Sequence, residues 1–230
     1  WLCNGQTADV FITTPAFHKG KLIGFAVNTI HHVDIGGRKG SGLSEEVFEE
    51  GLIIPMLRLY DAGEPNEMLF GLIRRNVRYA EKMVGDLRAQ VATGWAGCRE
   101  MERLCREFDF PDLREVSDEI TGRTEAGIRA GLRALPDGEW REEMMMDIDG
   151  VEEPQPLVVT VKIEGDQLYA DFTGTAPQVR RPVNCPINFS RAYVAVPVKM
   201  ICDPTLPNNQ GTYRPITLNA PDGSLLNPTY

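Results

Sequence analysis

Apolar residues recur along this chain with two different periods, and the switch between them sets the expected elements. From Val84 onward, Leu87, Val91, Trp95, Cys98, Met101 or Leu104, Cys105 and Phe108 return every three or four positions, which is the spacing of one helix face. A long helix is therefore predicted from Tyr79 to Phe108. Leu113, Val116, Ile120, Thr124, Ile128, Leu132 and Leu135 repeat the period, with Pro111 at a first-turn position where a missing N–H does no harm. The short Asp109–Pro111 link makes the pair an antiparallel helical hairpin. A shorter helix is predicted over Asn66 to Asn76, and another over Ser44 to Glu50 with Ser44 as its N-cap. Glu49 and Glu50 at its end are solvated acids or reach a metal.

Elsewhere the period falls to two. Asp9 to Thr14 reads as a strand closed by Pro15, and Leu22 to Ile30 returns as the second arm of a hairpin. After the turn Pro136-Asp137-Gly138, the stretches Trp140 to Ile148, Leu157 to Glu164 and Gln167 to Phe172 predict an antiparallel meander. A helix over Ser190 to Ile201, bent or cut short by Pro197, and a strand over Arg214 to Asn219 complete the chain. The expected fold class is α+β: antiparallel β-hairpins and a meander with a long antiparallel helical hairpin. Three regions follow: 1–65, a β region with a candidate metal site and a Gly-rich loop; 66–135, the helical hairpin; and 136–230, the meander. Together they form one continuous catalytic unit of a longer chain.

Composition narrows the functional classes. Apolar residues make up 42% and charged residues 25%, which is ordinary for a globular protein. The formal charge of −9, without any Lys/Arg cluster, argues against a nucleic-acid partner. No apolar run approaches the roughly 18 residues that read as a membrane span. The five cysteines are scattered without a Cys-x-x-Cys spacing, so a disulfide framework is not expected and a reducing cytoplasm is. The chain runs from Trp1 to Tyr230 and reads as a piece of a longer polypeptide.

Candidate chemistry concentrates between Ala26 and Gly37, which hold His31, His32, Asp34 and the pair Gly36-Gly37. Neighbours in a strand point to opposite faces, so His31 and His32 share one pocket only if the strand has ended. His32 and Asp34 share a face if it continues. Asp9 starts one arm of the hairpin and His31 ends the other, so both lie at the same end of it. An imidazole beside a carboxylate suits a divalent metal, or a base with its orienting partner. The pattern equally suits a core histidine beside an aspartate that caps a turn. A serine hydrolase is disfavoured because no Gly-x-Ser-x-Gly elbow is present. Cys98 and Cys105 fall on the helical core stripe, and Gly36 to Gly42 lacks the spacing of a phosphate-binding loop.

Ile30-His31-His32-Val33-Asp34-Ile35-Gly36-Gly37 resembles the His-His-Ala-Asp-Ile-Gly-Gly signature of the hydantoinase B/5-oxoprolinase family. Glu50-Gly51-Leu52-Ile53-Ile54-Pro55, Gly85-Asp86-Leu87-Arg88-Ala89-Gln90, Asp171-Phe172-Thr173-Gly174-Thr175 and Pro207-x-Asn209-x-Gly211 follow in the family's order. The resemblance implies a subunit of an ATP-dependent hydrolase of cyclic amides such as hydantoin or 5-oxoproline. That subunit acts with a hydantoinase A-type partner which uses the ATP. Relatives similar to acetone carboxylase α subunits instead carboxylate a ketone. The resemblance further implies a divalent metal (zinc, manganese or iron) held by a His-x-x-Asp segment and the first histidine of the pair. Asp9 and His31 match that pattern, whereas Gln6 stands where the family has histidine. Glutamine is neutral and a weaker ligand, so a non-catalytic assembly domain that has lost its metal is the rival expectation. His32 and Asp34 are the catalytic candidates, and Arg88, Thr173 and Thr175 the substrate-binding ones. Arg88 alternatively pairs with Asp86 or Glu81, and Thr173 to Thr175 alternatively form a strand-exit turn.

Overall fold

The computed structural model describes residues 7–38 and 44–229; Cys3, Gln6 and positions 39–43 of the Gly-rich loop lie outside them. The fold is α+β, and the chain divides between Arg114 and Glu115 into two compact units.

In the first unit, β1 (Asp9–His18) and β2 (Lys21–His31) form an antiparallel hairpin. β1 runs through Pro15, opposite Phe25, rather than closing before it. Both strands of a two-stranded sheet are edges, where a residue without an N–H is tolerated. Two short strands, β3 (Tyr60–Asp61) and β4 (Glu64–Pro65), lead into α1 (Glu67–Asn76). Asn66 caps α1 by accepting from Leu69 N at 3.1 Å, which satisfies one of the orphan donors of the first turn. The long α2 (Ala80–Glu107) lies across the inner face of the hairpin. Small residues permit the approach: a Cβ on Gly97 would come within 3.0 Å of Ala26 Cβ. Leu69, Phe70 and Ile73 of α1 meet Met83, Val84 and Leu87 of α2 and Ile35 in one core. Each such side chain, fully buried, contributes about 1.5–3 kcal/mol. Trp95, expected on the buried stripe, is 43% exposed and sets its edge against Tyr60.

The expected helix over Ser44 to Glu50 is only a 3-10 turn, Val47–Glu50. Seven residues cannot offset helix nucleation, and their polar groups are engaged elsewhere: Glu49 accepts from Glu45 N at 2.9 Å and from Arg38 at 2.8 Å.

The second unit holds α3 (Arg114–Arg133), α4 (Ile187–Cys202) and a sheet of β5 (Gly138–Met146), β6 (Gln155–Glu164), β7 (Gln167–Asp171) and β8 (Ile216–Asn219) in that order. The first three strands are the expected meander, and β8 joins parallel to β7. α3 starts after Pro111 rather than at it, because Asp112 accepts from Arg114 N at 3.0 Å and sets the first turn. α4 continues through Pro197, which sits on its exposed side. Ile128, Leu132, Ile163, Leu168, Ala170 and Val198 form the core. The two long helices of the expected hairpin follow one another in sequence, and the unit boundary falls at the start of α3. Among the described residues, no helix is long and apolar enough to cross a membrane.

Candidate functional site

The hairpin register places Asp9 directly opposite His31. Cross-strand partners share a face, and here that face is the outer one, turned away from α2 and shared with Phe11, Phe25 and Val27, all more than half exposed. Asp9 Oδ1 lies 2.7 Å from His31 Nδ1. A carboxylate only accepts, so Nδ1–H donates and the other ring nitrogen of a neutral imidazole presents its lone pair. The pair therefore offers one imidazole nitrogen and one carboxylate at a solvent-reached strand end.

His32 points the opposite way and is fully buried, as strand alternation requires. Its proton can be assigned by elimination. The Val10 carbonyl only accepts, so Gln90 Nε2 donates to it, at 2.8 Å. Gln90 Oε1 then faces His32 Nε2 at 3.2 Å, and that nitrogen must carry the hydrogen. Nδ1 is left buried without a hydrogen-bond partner among the described residues, 4.0 Å from Asp86. Burial pushes the imidazole below its ordinary pKa, against the opposing pull of Gln90 and Asp86. His32 is thus a neutral core histidine tied to α2. The structure brings this expected catalytic residue to the α2 contact and not to the face that holds Asp9 and His31.

Asp34, the other expected catalytic residue, is engaged at the entry to α2. Its carboxylate accepts from Gly36 N at 3.0 Å, Tyr79 N at 3.2 Å, Arg78 N and the Arg78 guanidinium at 2.9 Å. Two of those donors are backbone N–H groups at the entry to α2, where a carboxylate also suits the helix dipole. Burial alone would raise the carboxyl pKa, but the hydrogen bonds from Gly36, Arg78 and Tyr79 outweigh it and hold it low. The glycine pair beyond it has a steric reason. Gly37 has φ +59°, and a Cβ there would stand 2.4 Å from the Glu49 carbonyl oxygen. Gly51, at φ +127°, would meet the Ile35 carbonyl at 2.4 Å. The Gly36-Gly37 and Glu50-Gly51 motifs are two backbones in contact, joined by Leu52 N to Ile35 O and Arg38 N to Glu49 O, each at 2.7 Å.

Arg88 is exposed on α2 with its guanidinium 5.9 Å from the Phe70 ring centroid. Neither expected acid engages it: Glu81 pairs with Arg74, and Asp86 faces His32. Thr173 and Thr175 lie in the second unit. Asp171 accepts from Thr173 Oγ1 at 2.7 Å and from Thr173 N at 3.0 Å, a strand-exit turn. Thr175 is buried, and its hydroxyl both accepts from Val158 N and donates to Val158 O, at 3.1 Å each. β7 ends opposite Thr160, so Thr175 continues the ladder for β6 where the neighbouring strand has stopped. Its hydroxyl is committed to the sheet rather than to a substrate. Thr175→Val leaves the Val158 N–H buried and unpaired, and costs about 1–3 kcal/mol. A urea titration of the wild type and the variant measures the difference.

A divalent cation finds a carboxylate and an imidazole in Asp9 and His31, a hard and a borderline donor of the kind such ions take. Among the described residues, no third His, Cys, Asp or Glu joins a cluster with them. That composition fits an open site, completed by weaker ligands or water. Gln6, the remaining expected ligand, lies outside the described residues.

Three residues that carry this architecture are not legible in the sequence pattern. Gln90 occupies a buried helix position and binds His32, Val10 O and, through its carbonyl, Asn28 at 2.9 Å. A polar residue in phase with an apolar stripe is the available signal. Arg78 answers Asp34, and nothing in the spacing marks it. Glu50, read as solvated or metal-reaching, accepts from Thr7 Oγ1 at 2.7 Å and so fastens the chain two residues before Asp9.

Known proteins share both this sequence and this fold. The chain is 32% identical over 239 residues to a protein named as the B-type component of a D-/L-hydantoinase from Pseudomonas sp. (strain NS671), covering 96% of this chain and 40% of that protein. The crystal structure of an ATP-dependent caprolactamase from Pseudomonas jessenii superposes with a TM-score of 0.87 at 28% identity, over 96% of this chain and 39% of that one. A nucleotide-free acetone carboxylase shares the fold, with a TM-score of 0.86 at 18% identity, over 97% of this chain and 32% of that one. The chain thus spans less than half the length of these relatives. The profile of the Hydantoinase B/oxoprolinase family matches residues 2–230, and the chain belongs to that family.

Proposed function

We propose that this chain is part of the metal-assisted subunit of an ATP-dependent cyclic-amide hydrolase, acting with a hydantoinase A-type partner that uses the ATP. The observation that carries the reading is the Asp9–His31 pair, 2.7 Å apart on the accessible face of the hairpin, in a chain of this family. Asp9 and His31 would hold the divalent metal (zinc, manganese or iron), which supplies Lewis-acid polarisation of a carbonyl or an activated water. The chain's own residues prepare that position. Asp9 holds the His31 ring beside it through the Nδ1 proton, which would be released when both groups turn to the cation. His32, anchored to Gln90 on α2, and Asp34, bonded at the α2 entry, prevent the strand end from turning. The substrate is a cyclic amide of the hydantoin or 5-oxoproline type.

Gln6 favours a second reading, a non-catalytic assembly domain without metal. Elemental analysis of the purified chain, alone and with the partner subunit, separates the two. Stoichiometric metal supports the hydrolase, and its absence from the complex selects the assembly domain. Assaying the complex for ATP turnover with hydantoin, 5-oxoproline, or a ketone plus bicarbonate then distinguishes hydrolysis from carboxylation.

A further inference from the structure

The second unit contains a cleft of about 500 Å³ between the first turns of α4, the 3-10 turn Gln210–Thr212 and β8. Asn188 and Arg191, three residues apart on α4, line it together with Gln210, Tyr213 and the β8 residues Ile216, Thr217 and Leu218. Spacing of three brings the first two onto one helix face. Among the described residues, the side chains of Asn188, Arg191, Gln210 and Tyr213 find no hydrogen-bond or ion-pair partner, although those around them do. Arg129 and Arg214 engage Glu125, Arg133 engages Asp166, and Lys199 engages Asn208. Arg191 has no acid against it among the described residues, and it stands in a concave site.

The chemistry of that lining is selective. Arg191 supplies a planar fork of donors that matches a carboxylate in two parallel bonds. The Tyr213 hydroxyl and the two amides add neutral donors, which fix orientation without adding charge. Ile216 and Leu218 add apolar surface to the lining, which a bare inorganic anion cannot use. We propose that this cleft binds a small organic carboxylate, with the carboxylate on Arg191 and the carbon chain on Ile216 and Leu218. The proposal rests on the second unit alone and stands whether or not Asp9 and His31 hold a metal.

Ligand-observed NMR and calorimetry on the whole 230-residue chain test it with butyrate, its neutral isostere butyramide, and inorganic phosphate. Butyrate is expected to bind at least tenfold tighter than butyramide. Arg191→Gln is expected to erase that difference, and Tyr213→Phe to weaken butyrate about threefold. Neither side chain contributes a bond to the fold, so both variants should keep the wild-type melting temperature, which is checked in parallel. Equal binding of butyrate and butyramide overturns the proposal, as does unchanged butyrate affinity in Arg191→Gln. Phosphate that matches butyrate and displaces it overturns the assignment to organic carboxylates.

Discussion

Asp34→Ala is expected to destabilise the first unit by about 3–5 kcal/mol, because it removes a buried carboxylate that answers three backbone N–H groups. Asp34 is only 2% exposed, and its carboxylate answers the backbone N–H groups of Gly36, Arg78 and Tyr79 together with the Arg78 guanidinium. Truncation strands the three backbone donors, each at about 1–3 kcal/mol where buried, while the Arg78 guanidinium, 60% exposed, is taken up by water. Asp34→Asn keeps one acceptor oxygen and gives up the charge, so its loss should be about half as large. Hydrogen exchange of the α2 amides, which reads this unit by itself, measures both. The acid limb supplies a second readout. The folded carboxyl titrates below its ordinary value, so the unfolded chain takes up the proton first as pH falls. The stability it provides is present above about pH 4 and is lost as pH drops through the lower folded value. Asp34→Ala should remove that component and leave a flatter acid limb. An unchanged exchange pattern in Asp34→Ala would show that the entry to α2 is held by something else.

How far the chain can be read in advance depends on which interactions are local. The α2 stripe from Val84 to Val91 is set by neighbours a few residues away, and periodicity finds it. The pairing of Asp9 with His31 is also legible, since a hairpin fixes its own register once the turn near Lys19-Gly20 is placed. The opposed directions of His31 and His32 follow from alternation alone. What escapes has its cause far along the sequence. Asp34 serves donors 44 and 45 residues away, and the Gly37 contact is with Glu49 and Gly51. An aspartate and two glycines after a strand read the same whether they bind a ligand or a second backbone. β8 is a similar case: its alternation marks a strand, but parallel pairing with β7 is decided by the path of α4 between them. Pro197 misleads because local propensity disfavours proline inside a helix, whereas the core contacts of Ala195 and Val198 carry α4 across it.

His31→Ala is the variant on which the enzymatic reading turns. In the complex with the partner subunit it should lose the bound metal and lower ATP-dependent ring opening by about a thousandfold or more, roughly 4 kcal/mol of transition-state stabilisation. Asp9→Asn should act in the same direction, since it withdraws the charge from one of the two proposed ligands. Stability should scarcely change in either case. The His31 side chain is about half exposed, 54%, and a pair at an accessible strand end contributes at most about 1 kcal/mol. This contrast with Asp34→Ala is what makes the test informative: one residue of the motif holds the fold, and on the proposed reading another, three positions earlier, holds the metal. Gln6→His adds a gain-of-function arm, because replacing a neutral amide with an imidazole should tighten metal binding and raise activity. Full metal content and activity in His31→Ala would move the reaction away from the hairpin. Loss of metal with undiminished ring opening would separate the cation from catalysis and leave the pair as a structural site.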